Sequence, residues 1–453
     1  MTGTERTHGA QRGTVCVVGA GYVGLVTAAC LAELGHHVRV VEIDRHRLSM
    51  LEAGRAPIHE PGLDAILRSV IADGRFAVTD DIRQGMEGAA VAMVAVGTPP
   101  LADGNADLTQ VRAAVSQAAS AARADAVIAI KSTVPPGTTV GLRKLARHRT
   151  SRLLPLVACP EFLREGNAIH DFRHPARIVV GGDEAPAQTV MDLFDDLPGQ
   201  RILTDCTSAE MIKYGANAFL ALKISFINEI AYLCERAGAD VGAVADGIGS
   251  DPRIGRAFLN AGLGFGGSCF PKDVRALDLT ASYHGQSFWL LKAAIEVNTQ
   301  QRRRFVAKVQ DALGGKLSGK RIAILGLAFK SGTDDMRQAA SIDIIRHLED
   351  LGARVVATDP VAIDRARQVL PATAMNADPY ECVEGADAVV LVTEWPEFVD
   401  LDWSRVATLV RRRVVVDGRN VLDPRRMAEL GFSYWGVGRA GPPADGRARR
   451  SSR

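Results

Sequence analysis

The feature that most constrains this chain is one continuous pattern near its start. A short apolar run, 14–18, is followed by Gly19-Ala-Gly-Tyr-Val-Gly24, a helical stretch over 25–34, a second apolar run over 38–41, and then Glu42-Ile-Asp44. Strand, glycine turn, helix, strand and acid in that order is the signature of a dinucleotide-binding β-α-β unit. Each part has a physical task. Gly19 permits the tight turn, Gly21 lets the backbone approach a pyrophosphate, and Gly24 permits close helix–sheet packing. Tyr22 and Val23 lie within the turn and are expected at the cofactor, and the N-terminal N–H groups of the helix that follows favour an anion. Glu42 is the first acid after the second strand and the expected partner of the ribose hydroxyls, with Asp44 as the alternative. A carboxylate there repels a 2′-phosphate, so NAD is expected rather than NADP.

Further apolar runs at 90–96 and 126–130 continue the alternation of strands and helices, which implies a parallel sheet covered on both faces. The layout recurs near the other end, with strands expected at 321–325, 354–357, 388–392 and 414–416 and a helix at 341–351. Between them, 209–236 and 288–313 read as long helices. The expected fold is therefore α/β, with two Rossmann-like, doubly wound parallel-sheet domains joined by a helical middle domain with a long central helix. The boundaries expected are a disordered tail over 1–12, a cofactor domain over 13–204, a helical middle domain over 205–313, a second sheet domain over 314–437 and a disordered basic tail over 438–453.

The 453 residues suit two or three domains, and a formal charge of +2 gives no electrostatic case for nucleic acid or an anionic membrane. No uninterrupted apolar run reaches the roughly 20 residues needed to span a bilayer. The first twelve residues are polar, without the apolar stretch of a signal peptide. A cytoplasmic location is the default expectation. No metal site is expected.

There are seven cysteines, an odd number with no C-x-x-C pair, which argues against a disulfide framework. One of them stands apart. Gly262-Leu-Gly-Phe-Gly-Gly-Ser-Cys-Phe-Pro-Lys-Asp273 places four glycines before Cys269, making a poor strand and a poor helix. Such a loop brings backbone N–H groups to a ligand. Lys272 is a cation three residues from the thiol, and Asp273 is a proton acceptor. A structural cysteine in a glycine-rich turn is the competing reading. Lys213 and Asn217 are spaced i, i+4 on one helix face, where a cation and an amide suit an oxyanion. After Gly326, Lys330 and Arg337 suit either a phosphate or a solvated loop.

Taken together, these segments resemble the UDP-glucose/GDP-mannose dehydrogenase family over about 14–436. Further motifs that carry the resemblance are Pro57-Ile-His-Glu-Pro-Gly-Leu63, Val96-Gly-Thr-Pro-Pro100, Ser132-Thr-Val-Pro-Pro-Gly137, Pro160-Glu-Phe-Leu-Arg-Glu-Gly166, Glu210-Met-Ile-Lys-Tyr214, Asn217-Ala-Phe-Leu-Ala221 and Gly326-Leu-Ala-Phe-Lys330. The resemblance implies NAD-dependent oxidation of a sugar nucleotide alcohol to an acid. The Cys269 context and Lys223-Ile-Ser-Phe-Ile-Asn-Glu229 look most like the UDP-glucose branch, with GDP-mannose as the rival substrate and a UDP-N-acetylhexosamine further off. A non-catalytic sugar-nucleotide-binding regulator on the same fold is the rival from another class.

The resemblance also implies roles. Cys269 is the expected nucleophile, Lys213 with Asn217 the oxyanion partners, Glu161 the base for thioester hydrolysis, and Thr133 with Asp273 the holders of a water. Arg47, Thr98, Thr133, Glu165, Lys272 and Arg337 are expected at NAD beside Glu42 and the glycine turn. Glu161, Phe162, Leu163, Arg164 and Glu165 are expected at the sugar nucleotide. So are Phe258, Leu259, Asn260, Ala261, Gly262, Gly266 and Lys330. Arg253 is expected to serve a neighbouring subunit's site, implying a homodimer or higher oligomer built around the helix that starts near Phe288. The chain departs from the pattern at Asp335-Met-Arg-Gln-Ala-Ala-Ser341, at Gly215 within a helix, and at Cys159, where asparagine is usual.

Overall fold

The computed structural model describes residues 13–439 and 441. The chain forms two compact units, the first ending at Gly215 and the second beginning at Ala216. The tail expected over 1–12 lies outside the described residues, as does nearly all of the basic tail. Gly438 and Arg439, assigned to that tail from sequence, are ordered: the Gly438 N–H donates to Glu235 at 2.7 Å, and Arg439 pairs with Asp240.

In the first unit, short apolar runs form strands buried on both faces, as parallel sheets require. The strands are β1 (Thr14–Val18), β2 (His37–Val41), β3 (Phe76–Thr79), β4 (Ala89–Val94), β5 (Val127–Ile130), β6 (Leu156–Ala158), β7 (Arg177–Gly181) and β8 (Gln200–Thr204). Their order is β3-β2-β1-β4-β5-β6-β7-β8, parallel except for the β6–β7 pair. The order reverses direction between β1 and β4, so the loops after these strands flank the crevice where doubly wound sheets bind ligands. Strands β3, β6, β7 and β8 escape the apolar-run pattern. Strand β6 has only three residues, and β8 is a largely exposed edge.

The second unit holds β9 (Arg321–Leu325), β10 (Arg354–Thr358), β11 (Ala374–Met375), β12 (Ala388–Leu391), β13 (Val414–Asp417) and β14 (Ser433–Gly436). All pairs are parallel, in the order β11-β10-β9-β12-β13-β14. Strands β11 and β14 are the edges that the sequence pattern does not mark.

The helices that carry or cap functional side chains are α1 (Tyr22–Glu33), α2 (Arg45–Glu52), α3 (Thr138–Thr150), α4 (Ala168–Arg173), α5 (Cys206–Ala237), α6 (Phe270–Tyr283), α7 (Trp289–Ala312) and α8 (Ala340–Asp350). The middle region is helical, as its sequence implies. From residue 216 it shares one core with the second sheet, in which Ile227, Leu263, Phe305 and Val309 pack with Ile322 and Val389.

Helix α5 is, by length and composition, apolar enough to cross a membrane. Its apolar character is spread among polar residues rather than gathered in one run, so an uninterrupted-run criterion misses it. It buries Glu210, Lys213, Asn217, Ser225 and Asn228 and lends Ile227 and Ala231 to the core of the second unit, which are the features of a core helix. Gly215 lies mid-helix, and a Cβ added there would meet nothing within 4 Å. Gly215→Ala is therefore expected to raise the unfolding free energy by about 0.5–1 kcal/mol. Urea denaturation measures this, and a loss of stability would contradict it.

Candidate active site

In the first unit the glycine turn has the geometry that its spacing implies. Gly19 sits at φ 103°, a left-handed conformation that favours glycine, and its N–H donates to Val41 O at 2.8 Å. A Cβ on Gly24 would lie 2.0 Å from Gly19 O, so that position must be glycine for α1 to pack. At Gly21 an added Cβ meets nothing within 4 Å, leaving open space at the start of α1. This opening beside the N–H groups of a helix N-terminus fits a pyrophosphate.

The two acids after β2 separate by environment. Glu42 is buried and accepts the Ala20 N–H at 3.0 Å and the Asp44 N–H at 2.9 Å, with Arg47 3.9 Å away. Asp44 is used as the N-cap of α2, accepting from His46 and Arg47. The backbone N–H of Arg47 is the main cause that lowers the Asp44 pKa. The acid tied to the glycine turn is thus Glu42.

Nearby loops are held by side chains that the motifs contain but whose tasks their sequence does not reveal. Buried Glu60 accepts N–H groups of Gly166 at 2.7 Å, Ala168 at 2.7 Å and Ile169 at 3.3 Å, and also the hydroxyl of Tyr22. It thereby caps α4 and joins the glycine turn to the 160–166 segment. Glu210, on α5, accepts from Gly137 N–H at 2.6 Å and from Thr139 N–H at 2.7 Å, fixing the 132–137 turn at the start of α3. The available signal was an acid next to a Pro-Gly turn, or facing one, but periodicity does not identify which N–H groups it serves. Thr98 donates to the Thr133 carbonyl at 3.0 Å, bringing these two expected residues together.

Glu161 and Lys213 form an ion pair at 3.0 Å, and each is only 4% exposed. The second oxygen of Glu161 accepts the Leu163 N–H at 2.5 Å. The Lys213 ammonium also lies 5.5 Å from the Phe162 ring centroid. Removing either partner would leave a buried charge uncompensated. Arg164, by contrast, is engaged by Asp171 through Nε and Nη2 at 2.9 and 2.6 Å.

In the second unit Cys269 is the N-cap residue of α6, with Pro271 in the first turn. It is partly exposed, whereas the other six cysteines are buried. Burial pushes the thiols of Cys16, Cys30 and Cys382 up to about 12, so these act as inert core groups. Ser268 Oγ lies 3.5 Å from Cys269 Sγ.

The loop before Cys269 is held in place by amides. Asn298 accepts the Phe265 N–H at 2.7 Å and donates to the Phe265 carbonyl at 3.0 Å. Asn228 accepts the Gly262 N–H at 2.9 Å. A Cβ on Gly264 would lie 2.1 Å from Asn298 Oδ1, and one on Gly266 would lie 2.4 Å from Gln338 O.

Asp273 is buried and accepts from Asn217 Nδ2 at 2.6 Å and from Lys272 Nζ at 2.6 Å. The ammonium of Lys272 thus also pairs with the adjacent carboxylate. Arg337 is likewise held by Asp335, through Nε and Nη2, and its carbonyl accepts the Gly267 N–H at 3.0 Å. The ammonium of Lys330 lies 5.6 Å from the Phe329 ring centroid. Phe258 has φ 64°, a strained value for a bulky residue, at the start of the 258–262 segment, in which Leu259, Ala261 and Gly262 are buried and Asn260 accepts from Arg256. Arg253 stands away from these groups, highly exposed and paired with Asp251.

A dinucleotide-type glycine turn with a buried acid tied to it, in a chain whose one partly exposed cysteine holds a helix N-cap position, is the layout of a nucleotide-dependent dehydrogenase. The comparisons give the family. Residues 13–197 match the NAD binding domain of the UDP-glucose/GDP-mannose dehydrogenase family, 207–300 its central domain and 323–424 its UDP binding domain. The UDP-glucose 6-dehydrogenase of Pseudomonas aeruginosa is 43% identical, over 97% of this chain and 99% of that protein. The UDP-glucose 6-dehydrogenase YwqF of Bacillus subtilis is 44% identical, over 94% and 97%. A solved UDP-glucose dehydrogenase from Pyrobaculum islandicum superposes with a TM-score of 0.89 at 38% identity, covering 96% of this chain and 100% of that one. The chain belongs to the UDP-glucose/GDP-mannose dehydrogenase family, and its cofactor is NAD.

Burial raises the Glu210 pKa above its ordinary 4.5, outweighing the hydrogen bonds that lower it. The folded state therefore holds this proton more tightly than the unfolded chain, and the group's contribution to stability falls as pH rises from 4.5 through the raised value. The stability of the native protein relative to Glu210→Gln should accordingly decline over that interval, measured by urea unfolding at a series of pH values. A difference that grows with pH would reverse the assigned sign.

Proposed function

We propose that the chain oxidises UDP-glucose to UDP-glucuronate, with Cys269 as the covalent nucleophile. The observation that carries this reading is the setting of that thiol. It alone among the seven cysteines is not buried, and it ends a glycine loop at a helix N-terminus, whose partial positive charge favours negative charge on sulfur.

NAD, when bound, supplies the hydride acceptor, two equivalents serving the four-electron change from alcohol to acid. Gly19, Gly21, Tyr22, Val23 and Gly24 would hold its pyrophosphate and Glu42 its ribose, with Arg47, Thr98, Thr133, Glu165, Lys272 and Arg337 completing the site. The thiolate of Cys269 adds to the aldehyde carbon, giving a thiohemiacetal. Oxidation of that adduct leaves a thioester, which water cleaves to the carboxylate while the thiol regains a proton.

Lys213, desolvated and held by Glu161, is placed to stabilise oxyanions, since a buried ammonium acts more strongly than a solvated one. Glu161 is assigned as the base that activates water for thioester hydrolysis. Asp273, oriented by Asn217, and Thr133 are assigned to hold the water that handles protons. The sugar nucleotide is assigned to Glu161, Phe162, Leu163, Arg164 and Glu165, to Phe258, Leu259, Asn260, Ala261 and Gly262, and to Gly266 and Lys330.

The assembly is a homodimer or a higher homo-oligomer, to which Arg253 contributes across subunits. Phe219, Phe226 and Leu233 recur every seven residues on α5 and are 63%, 54% and 59% exposed, an apolar stripe suited to a second copy. This favours α5 over α7 as the interface helix. A reducing compartment such as the cytoplasm suits a chain whose described cysteines are all free thiols.

Incubation with NAD and each sugar nucleotide tests the substrate. NADH formation with UDP-glucose is expected, and formation with GDP-mannose alone would overturn the assignment. Cys269→Ser should lower complete turnover by roughly a thousandfold or more, in line with the loss of a covalent nucleophile, while keeping UDP-glucose binding. Unchanged turnover would reject the covalent route.

A further inference from the structure

A cavity of 280 Å³ opens in the second unit between α6, α7 and α8, with Arg275, Arg302, Arg303, Asp343, His347 and Gln338 in its wall. Three guanidinium groups face one carboxylate there. That carboxylate, Asp343, is already paired with Arg302. Arg275 and Arg303 are exposed and have no ion-pair partner among the described residues. Arg302 is only 9% exposed, yet its Nε has no acceptor, and Nδ1 of His347 is also buried without a partner. An unpaired buried group such as Arg302 Nε is rare in folded proteins, and an anion held by the neighbouring guanidinium groups would offset its charge. The three guanidinium groups exceed the one carboxylate by two charges, which suits a dianion or more. The volume lies just below the range of about 300–1,000 Å³ usual for drug-sized ligands, so a compact ligand fits better than a dinucleotide.

The cavity adjoins the segment that ends at Cys269. Nη2 of Arg302 donates to the Phe265 carbonyl at 3.2 Å and to the Gln338 carbonyl at 3.1 Å. Phe265 belongs to the glycine loop before the thiol. Gln338 follows Arg337 and holds a left-handed φ of 52°. Anything that fixes the Arg302 guanidinium fixes both loops.

We propose that this cavity binds a compact phosphate-bearing anion, and that its occupancy stiffens the 264–269 loop through Arg302. The consequence for turnover rests on the oxidation assigned above; the binding itself does not. Guanidinium groups in a cluster match phosphate oxygens through paired N–H donors, which favours phosphate over a single carboxylate.

The test is calorimetric titration of the full chain with inorganic pyrophosphate, in the presence of saturating UDP and NADH to occupy the nucleotide sites. A second arm uses a hexose 1-phosphate, to separate a free from an esterified phosphate. One site per chain is expected in at least one arm, weakened tenfold or more in Arg275→Glu and in Arg303→Glu. Both side chains are exposed, so these variants should keep the wild-type melting temperature and their turnover without added anion. Amide hydrogen exchange over 264–269 should slow when the anion binds. No binding in either arm, equal affinity in both variants, or unchanged exchange in the loop would overturn the proposal. Failure of the catalytic assignment would show separately, as absence of NADH formation from UDP-glucose without added anion.

Discussion

Buried carboxylates that accept backbone N–H groups hold several turns of this chain, beside the amides that hold the loop before Cys269. Turns at the ends of parallel strands and at helix starts carry N–H groups that no strand or helix partner satisfies. Glu42 takes two of them around the glycine turn. Glu60 takes three at the start of α4, Glu210 takes two at the start of α3, and Asp359 takes those of Leu327 and Ala328 after β9. Each carboxylate is nearly out of contact with water. A hydrogen bond to a charged group in such surroundings is worth about 1.5–3 kcal/mol, enough to hold a loop in one shape. These turns are thus tied from their buried side.

The same principle separates anchoring groups from reactive ones. Asp273 accepts from Asn217 and Lys272, which fix its orientation. Glu161 and Lys213 form a buried ion pair, each charge offset by the other. The cysteines divide in the same way. Six are packed as small apolar groups, and only Cys269 combines exposure with a helix terminus.

Much of this was legible in the chain. The glycine turn, the strands β1, β2, β4 and β5, and the long helices α5 and α7 follow from periodicity and glycine placement, because those signals are local. The distinct setting of Cys269 was legible for the same reason, since the four glycines before it are a local signal. What stayed hidden depends on contacts distant in sequence. Glu60 reaches Gly166 across 106 residues and Glu210 reaches Gly137 across 73, so no window reveals either. Glu42 was preferred to Asp44 from its place directly after the strand, and the fold adds that Glu42 is buried against the glycine turn while Asp44 caps a helix. Edge strands such as β8 were missed because exposed strands lose their apolar pattern.

The central claim is that Cys269 carries the substrate between two oxidations. Mass spectrometry of a Glu161→Gln variant, quenched in acid after mixing with UDP-glucose and NAD, addresses it most directly. Slowed hydrolysis should leave a thioester adduct of the oxidised sugar nucleotide on the peptide that contains Cys269. Turnover with no adduct, or an adduct on any other cysteine, would contradict the account.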